Sequence, residues 1–515
     1  MNDVLTQQAR LSRRSVVWLL ALVLVTALVA LAVAESPLYL GAATFAAVFG
    51  FAVARWPWIA YAAMVASVPA QELGALPAGS TLVTVTQVSF PVAVAAFLLG
   101  LLARGDRLRL HIAFVPFALL LCCMLVSALG ARSGAAAMAE TARWVVAFAA
   151  FILALQFLAG ASKRTIMAFI GVMAAGGVFE ATFGVTQSLL ALGPESFQLS
   201  PGISRAFGTF GHPNSYAGYL AMVFFPVTWV AIYCLESTLA NFRHYRERRV
   251  EGMLASQNAR HALLRSAVVA ALLTGSAVII LGGILASYSR GAWLGIAAGV
   301  AVTLLLYRPI TRYIVLLGLP LAAILLFGGF SSVVPASVAD RLDASSSQFR
   351  LFDAASIPIT DENFAAAERM AHWQAGWHMF EENPVLGIGV GNFNERYEDF
   401  FVREEFRFSR GHAHNYYIHT LAETGLLGLL AYLWLIVGLA LVALHTALMA
   451  RSGFPRLLAL GVVGTMTAVA VHNFFENLHV LNLGINLSLI WALGIVAQLM
   501  VQREAASDLS DSRPA

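Results

Sequence analysis

The sequence predicts an all-α polytopic membrane protein with about fourteen transmembrane helices and one large helical loop outside the membrane. Three observations carry that prediction. Hydrophobic residues make up 59% of the chain, charged residues only 12%, and the mean hydropathy is +0.76, which is more apolar surface than one soluble core can hide. The apolar residues are gathered into runs that approach the roughly 20 residues needed to cross a bilayer. Between the runs, the polar stretches alternate in charge as the loops of a multi-pass protein do.

The N-terminal stretch QQARLSRRSVVWLLALVLVTALVALAVAES has the basic flank and small residues of a secretory signal. Its apolar run, near 15–34, is too long for the usual signal core and reads as an uncleaved first helix. Further runs follow near 37–54, 56–70, 84–103, 111–130, 140–159, 165–190, 214–235, 265–286, 291–306, 312–330, 421–446, 456–474 and 480–500. The connections ARLSRR, RGDRLR, SKR, NFRHYRERRVEGMLASQNARHALLR, YRPITR and RSGFPR are basic, whereas Glu35, QELGALPAGS and Glu476 mark the other side. The positive-inside rule then places both termini in the cytoplasm. Arg243, Arg246, Arg248 and Arg249 in the longest basic connection read as an anchor on anionic membrane lipids. The chain therefore divides into a bundle over 1–330, an extracytoplasmic loop over 331–413, and C-terminal helices with a short tail over 414–515. Cys122, Cys123 and Cys234 all lie in apolar runs, so they form neither a disulfide framework nor a metal-ligand pattern. No cofactor, metal or nucleic-acid partner is expected.

The outer loop is rich in aromatic residues, among them Phe349, Phe352, Trp373, Trp377, Phe393, Tyr397 and Phe406, a density that argues for packing rather than disorder. Within DENFAAAERMAHWQAGWHMFEENP, Met370, Trp373, Trp377 and Phe380 fall at helical spacing and Pro384 ends the run. This predicts an amphipathic helix that lies on the bilayer or caps the bundle. Alternatively, Trp373 or Trp377 stacks on a ligand such as a sugar. The following LGIGVGNF reads as a tight turn, since no strand precedes it to make a nucleotide fingerprint.

Polar residues collect on the outer side in SRAFGTFGHPNSYAGYLAM, SYSRGAWLG, RFSRGHAHNYYIHTLAETG and HNFFENLH. The topology rule requires no cations there, so Arg205 and Arg290 stand out. A guanidinium at the edge of a membrane helix suits a phosphate bidentately; lipid-headgroup contact by snorkelling is the competing account. His212 with Asn214 either joins such a phosphate site or simply starts the helix after Pro213. Glu423 lies four residues after His419, where it either orients or pairs with that histidine or makes a hydrogen bond between helices. His472, Glu476 and His479 share one helical face at i, i+4 and i+7, where interfacial capping explains them more simply than metal ligation.

RAFGTFGHPNSYAGYL, SYSRGAWLG, RMAHWQAGWHMFEENPVLGIGVGNF and HNYYIHTLAETGLLGLL resemble the successive signatures of the bacterial O-antigen ligase and polymerase superfamily. The most specific element is His414 and Asn415, nine residues, Gly425, two residues, Gly428. The resemblance spans about 200–445 and implies a GT-C-like membrane glycosyltransferase of the bacterial inner membrane with its site on the periplasmic face. It implies a donor glycan on undecaprenyl diphosphate and an acceptor hydroxyl, either on a lipid A core sugar or on another lipid-linked glycan. The chain departs from the family in its larger helix number and in continuing GLLGLL where many ligases carry hydroxyl residues.

A sugar on a diphosphate is already activated, so the reaction needs charge stabilisation on the diphosphate and a base for the incoming hydroxyl. Arg205 and Arg290 suit the first task and His414 the second, because imidazole titrates near neutrality. His412, Arg410 and Asn415 are supporting groups for the acceptor or the phosphates, and His419 is expected to be structural. A transporter or flippase of lipid-linked glycans is the rival, and a noncatalytic assembly scaffold is a third class. Transporters show interrupted helices near the midplane and internal repeats. Here the polar residues gather at one face and no repeat stands out.

Overall fold

The structure is a computed structural model. It describes residues 48–511 apart from 54, 72, 74–75, 79–80, 105–107, 201, 249–252, 328–351, 361–362 and 451–452. The first expected helix, most of the second and the first part of the outer loop lie outside the described residues. Every later run expected to be helical is helical, and nine helices among the described residues are long and apolar enough to cross a membrane. The chain is a multi-pass, all-α membrane protein.

Two compact units divide at Leu110. The first holds α1 (Trp58–Ser67), an antiparallel hairpin of β1 (Leu76–Ala78) with β2 (Thr81–Val83), and α2 (Val85–Arg104). Helices α1 and α2 pack together, and Ser67 Oγ donates to Thr86 Oγ1 at 3.0 Å. The second unit begins with α3 (Phe114–Ser127), α4 (Gly134–Leu158) and α5 (Lys163–Leu189). A small hairpin of β3 (Gln198–Ser200) and β4 (Ile203–Ser204) then leads to α6 (Pro213–Arg248), α7 (Met253–Ala286), α8 (Arg290–Tyr307) and α9 (Pro309–Phe327). The outer segment carries α10 (Phe364–Glu382) and α11 (Phe393–Arg396), and the bundle closes with α12 (Tyr416–Met449), α13 (Phe454–His472) and α14 (Leu483–Asp511).

Helices α6, α13 and α14 form the interior, with α13 packed on α6, α8, α12 and α14. Lipid tails are as apolar as leucine, so helices in a bilayer associate through close backbone approach. Gly291, Gly295 and Gly299 supply it on α8: a Cβ at Gly291 would meet His472 at 2.7 Å and one at Gly295 the Ala468 carbonyl at 2.5 Å. Outward, Leu426, Leu430, Trp434, Val437 and Leu441 make an exposed apolar stripe on α12 that suits lipid.

Helix α12 is broken at Gly425, whose φ of 64° and ψ of −166° only glycine adopts readily. The outer segment fills the break. Leu426 N–H donates to Pro384 O at 2.9 Å, while Ile388 and Gly389 N–H donate to Ala422 and Glu423 O at 3.0 and 3.1 Å. Glu423 accepts from Gly391 and Phe393 N–H at 2.8 and 2.9 Å and lies 3.6 Å from His419 Nε2. The glycines at 387, 389 and 391 all have positive φ, so LGIGVGNF is the tight turn its composition predicted. Helix α10 caps this assembly with a different face from the one expected. Ala367, Met370, Ala371, Ala375 and Met379 are buried, whereas Trp377 is 48% exposed. Small residues win because the helix lies close to α12: a Cβ at Gly376 would meet Ile418 at 2.8 Å.

Candidate active site

The starts of α6, α8 and α12 meet the ends of α7 and α13 at one end of the bundle, and each junction is fixed locally. The loop after β4 is held by Gln187, which accepts from Gly208 N–H at 2.8 Å, and by Glu180, which accepts from Thr209 N–H at 3.0 Å and Oγ1 at 2.8 Å. Ala206 N–H donates to Ala286 O at 2.9 Å, tying that loop to the end of α7. Asn415 caps α12, accepting from Tyr417 and Ile418 N–H at 3.0 and 3.2 Å, worth about 1 kcal/mol for such a cap. Tyr416 N–H donates to Asn473 O at 2.8 Å, which fastens the start of α12 to the end of α13.

These ties bring together a continuous polar chain. Arg205 Nε donates to Ser287 O at 3.0 Å and Nη2 to Asn214 Oδ1 at 3.1 Å. Asn214 Nδ2 donates in turn to Glu476, a buried carboxylate. Glu476 Oε1 lies 3.0 Å from His412 Nε2 and 3.8 Å from His414 Nδ1. His412 Nδ1 accepts from His414 N–H at 3.0 Å, so neutral His412 carries its proton on Nε2 and donates it to Glu476. His414 sits at φ 52°, a left-handed backbone that costs a non-glycine residue roughly 1–3 kcal/mol and concentrates at functional sites. Its ring lies 4.4 Å from that of His412 and 5.4 Å from that of His372.

Burial holds the His414 imidazole well below its ordinary range; Glu476 opposes, and His412, Arg369 and His372 reinforce the depression. The depression favours the neutral ring at physiological pH. Burial alone would raise the Glu476 carboxyl, but the charge and hydrogen bond of His412 outweigh it and hold Glu476 well below the usual carboxylate range. The neutral ring keeps a lone pair that can accept a proton, and Glu476, 3.8 Å away, favours the resulting cation against the burial that opposes it.

Arg290 is the first residue of α8, half-buried; the adjacent Ser289 Oγ lies 3.5 Å from His472 Nε2. His212 Nδ1 accepts from Asn214 N–H at 3.3 Å at the start of α6. Trp373 Nε1 donates to the His414 carbonyl at 3.4 Å, whereas Trp377 faces solvent and donates to Glu381 at 2.7 Å. Arg410 is paired with Glu368 at 2.9 Å on the rim. Asn415 and Glu423 accept from backbone amides of α12 and of the outer segment. The expected face of His472, Glu476 and His479 does not exist, because α13 ends at His472. Asn473 and Asn477 turn the chain there, accepting from Leu478 and His479 N–H at 3.1 and 2.8 Å, as asparagine side chains do in turns. His479 instead packs in the core, 3.0 Å from Tyr432 Oη and stacked on Trp144.

Sequence reading missed Arg369. It lies on α10 one turn before His372 and Trp373, and its charge acts on Glu476 and His414. Arg369 opens the stretch RMAHWQAGWHMFEENPVLGIGVGNF quoted above, where it was given no role. His412, His414 and Glu476 hold three ligand atoms within 4.8 Å of one another, a donor set that a zinc-like ion accepts.

Fold and site together define a polytopic membrane protein with histidine, carboxylate and guanidinium groups gathered at one mouth of its bundle. Residues 275–433, which include Arg290, Arg369 and His414, match the family model described as O-antigen ligase. That match supports membership of the O-antigen ligase and polymerase superfamily. No curated protein matches the chain.

Proposed function

We propose that the protein transfers a glycan from undecaprenyl diphosphate to an acceptor hydroxyl on the periplasmic face of the inner membrane, as an O-antigen ligase or polymerase. The acceptor is a lipid A core sugar in the first case and a second lipid-linked glycan in the other. The observation that carries the proposal is the chain Arg205–Asn214–Glu476–His412/His414, which links a phosphate-suited cation to a neutral base inside the bundle mouth. The acceptor oxygen attacks the anomeric carbon, the bond from that carbon to the phosphate oxygen breaks, and undecaprenyl diphosphate leaves with the electron pair. Arg205 and Arg290 offset the charge on the departing diphosphate. His414 takes the hydroxyl proton on the nitrogen away from Glu476, and Glu476 stabilises the imidazolium.

Purified protein reconstituted with an undecaprenyl diphosphate-linked glycan and each acceptor class tests this directly. Arg205→Ala and Arg290→Ala should each lower turnover roughly 10²–10³-fold, with partial rescue by lysine, which lacks the planar fork. Near-normal turnover in both alanine variants would leave Arg205 a structural donor to Ser287 and Asn214 and remove both arginines from the donor site. The reaction is proposed to be metal-independent, since guanidinium groups serve the diphosphate and two of the three potential ligands already bond each other. Turnover abolished by EDTA and restored by a divalent ion would make His412, His414 and Glu476 a metal site instead.

A further inference from the structure

We infer that an arginine-lined cavity at the end of the bundle opposite the histidines binds the phosphate of an anionic lipid headgroup; this stands independently of the function proposed above. The cavity holds about 450 Å³, within the range of small-molecule sites, and lies between α6, the end of α8 and the start of α13. From Pro213 to Glu236, α6 rises roughly 35 Å at about 1.5 Å per residue, a little more than the hydrocarbon core of a bilayer. The cavity is therefore at headgroup depth, on the side that the positive-inside rule makes cytoplasmic. Three guanidinium groups line it, those of Arg243, Arg308 and Arg456, against the single carboxylate of Glu236. That carboxylate is already engaged: Tyr307 Oη donates to Glu236 Oε1 at 2.7 Å, and Arg308 Nη2 pairs with the same oxygen. One carboxylate cannot neutralise three guanidinium groups.

The cations are held in place by helix ends. Arg456 Nε donates to Ala447 O at 3.2 Å, and its Nη2 to Leu306 and Tyr307 O at 3.0 and 2.8 Å. Those carbonyls end α12 and α8, where the backbone lacks helical partners and carries partial negative charge. Gly453 precedes α13 at φ 88° and offers no side chain to cap it, so the positive end of that helix lies at the cavity wall, where anions are favoured. Arg243 is exposed and pairs with none of the described residues. A guanidinium fork matches phosphate oxygens, so a phosphate would supply the charge that the lining lacks. The remaining wall identifies which phosphate. Leu239 and Leu457 complete the cavity, and Leu239 is 60% exposed on the outside of α6 beside Phe242. A soluble phosphate leaves that apolar edge bare, whereas the acyl chains of a phospholipid cover it. Basic pockets between membrane helices recognise anionic headgroups in this way. A headgroup seated there would clamp α6, α8 and α13 together, and α12 through Arg456.

Full-length protein, delipidated in neutral detergent, is titrated with dioleoyl phosphatidylglycerol, dioleoyl phosphatidylcholine and glycerol 3-phosphate. Lipid retention is read by native mass spectrometry and stability by the melting temperature. Wild type should retain phosphatidylglycerol over phosphatidylcholine and melt higher with it. Arg243→Gln and Arg308→Gln should each bind phosphatidylglycerol roughly 5-fold more weakly, the scale of one basic residue at an anionic membrane surface. Arg308→Gln also loses its Glu236 pair, so Arg243→Gln, which breaks no contact, carries the test if the former melts low. Glu236→Gln removes the competing carboxylate and should bind more tightly, a gain that a purely structural Glu236 would not give. Arg246→Gln, on α6 but outside the cavity, should bind as wild type does. Equal binding by wild type and the Arg243→Gln, Arg308→Gln double variant would overturn the inference. So would an equal loss in Arg246→Gln, which marks diffuse surface charge, or equal retention of phosphatidylcholine. Stabilisation by glycerol 3-phosphate as strong as that by the lipid would overturn the lipid as the source of the phosphate.

Discussion

At the scale of residues, His414 carries the sharpest expectation. His414→Ala should lose about 10²–10⁴-fold in turnover, the usual contribution of a general base, while still inserting and binding donor. His419→Ala should keep most activity, because His419 faces Glu423 beneath the cleft. The pH dependence has a definite sign. A base works when deprotonated, and the folded pKa of His414 lies well below that of a free imidazole, so turnover should climb on the acid side and be flat through neutrality. A midpoint near the ordinary imidazole value in a rate profile would mean that water reaches His414 freely. Glu476→Gln should shift that limb and slow turnover, since it removes the charge that steadies the imidazolium. His414, Arg205 and Arg290 were legible because histidine and arginine are unusual beside apolar runs. Arg369 stood in a quoted signature but was given no role, because a Glu–Arg pair within a helix looks like an ordinary solvated face and the fold is what shows Glu368 paired with Arg410.

Among the elements, hydropathy located the helices well, because length and apolarity are set by the bilayer itself. The break in α12 escaped it, since one glycine in an apolar run leaves hydropathy unchanged. Gly425 was visible only as part of a motif, and its job is now physical: a Cβ there would collide with the Val385 backbone. Gly425→Ala should therefore cost about 1–3 kcal/mol from the backbone conformation alone, with the steric overlap added, and should show as a lowered melting temperature in detergent. An unchanged melting temperature would mean that the break is not held in the folded protein. The end of α13 was misread for a related reason. HNFFENLH has the apolar content of a helix, but its two asparagines offer the backbone side-chain acceptors that compete with helical ones.

Across the whole molecule, the two ends of the bundle differ. One holds the histidines, Glu476 and Arg205. The other gathers Arg243, Arg308 and Arg456 around a cavity of about 450 Å³, with Glu236 pairing Arg308. Under the positive-inside rule that arginine-lined end faces the cytoplasm. In a background lacking Cys122, Cys123 and Cys234, a cysteine at Glu404 should react with an impermeant reagent added from outside, and one at Arg243 should not. Reversed labelling would move the cleft to the wrong compartment for a periplasmic transferase. The repaired break in α12 also bears on how the protein is made. Backbone amides at Leu426 and Leu427 donate to Pro384 O and Val385 O, in a segment that leaves the ribosome earlier. Unpaired amides are costly in hydrocarbon. With the loop outside, as the proposed function requires, α12 would gain these acceptors only once the loop had been translocated.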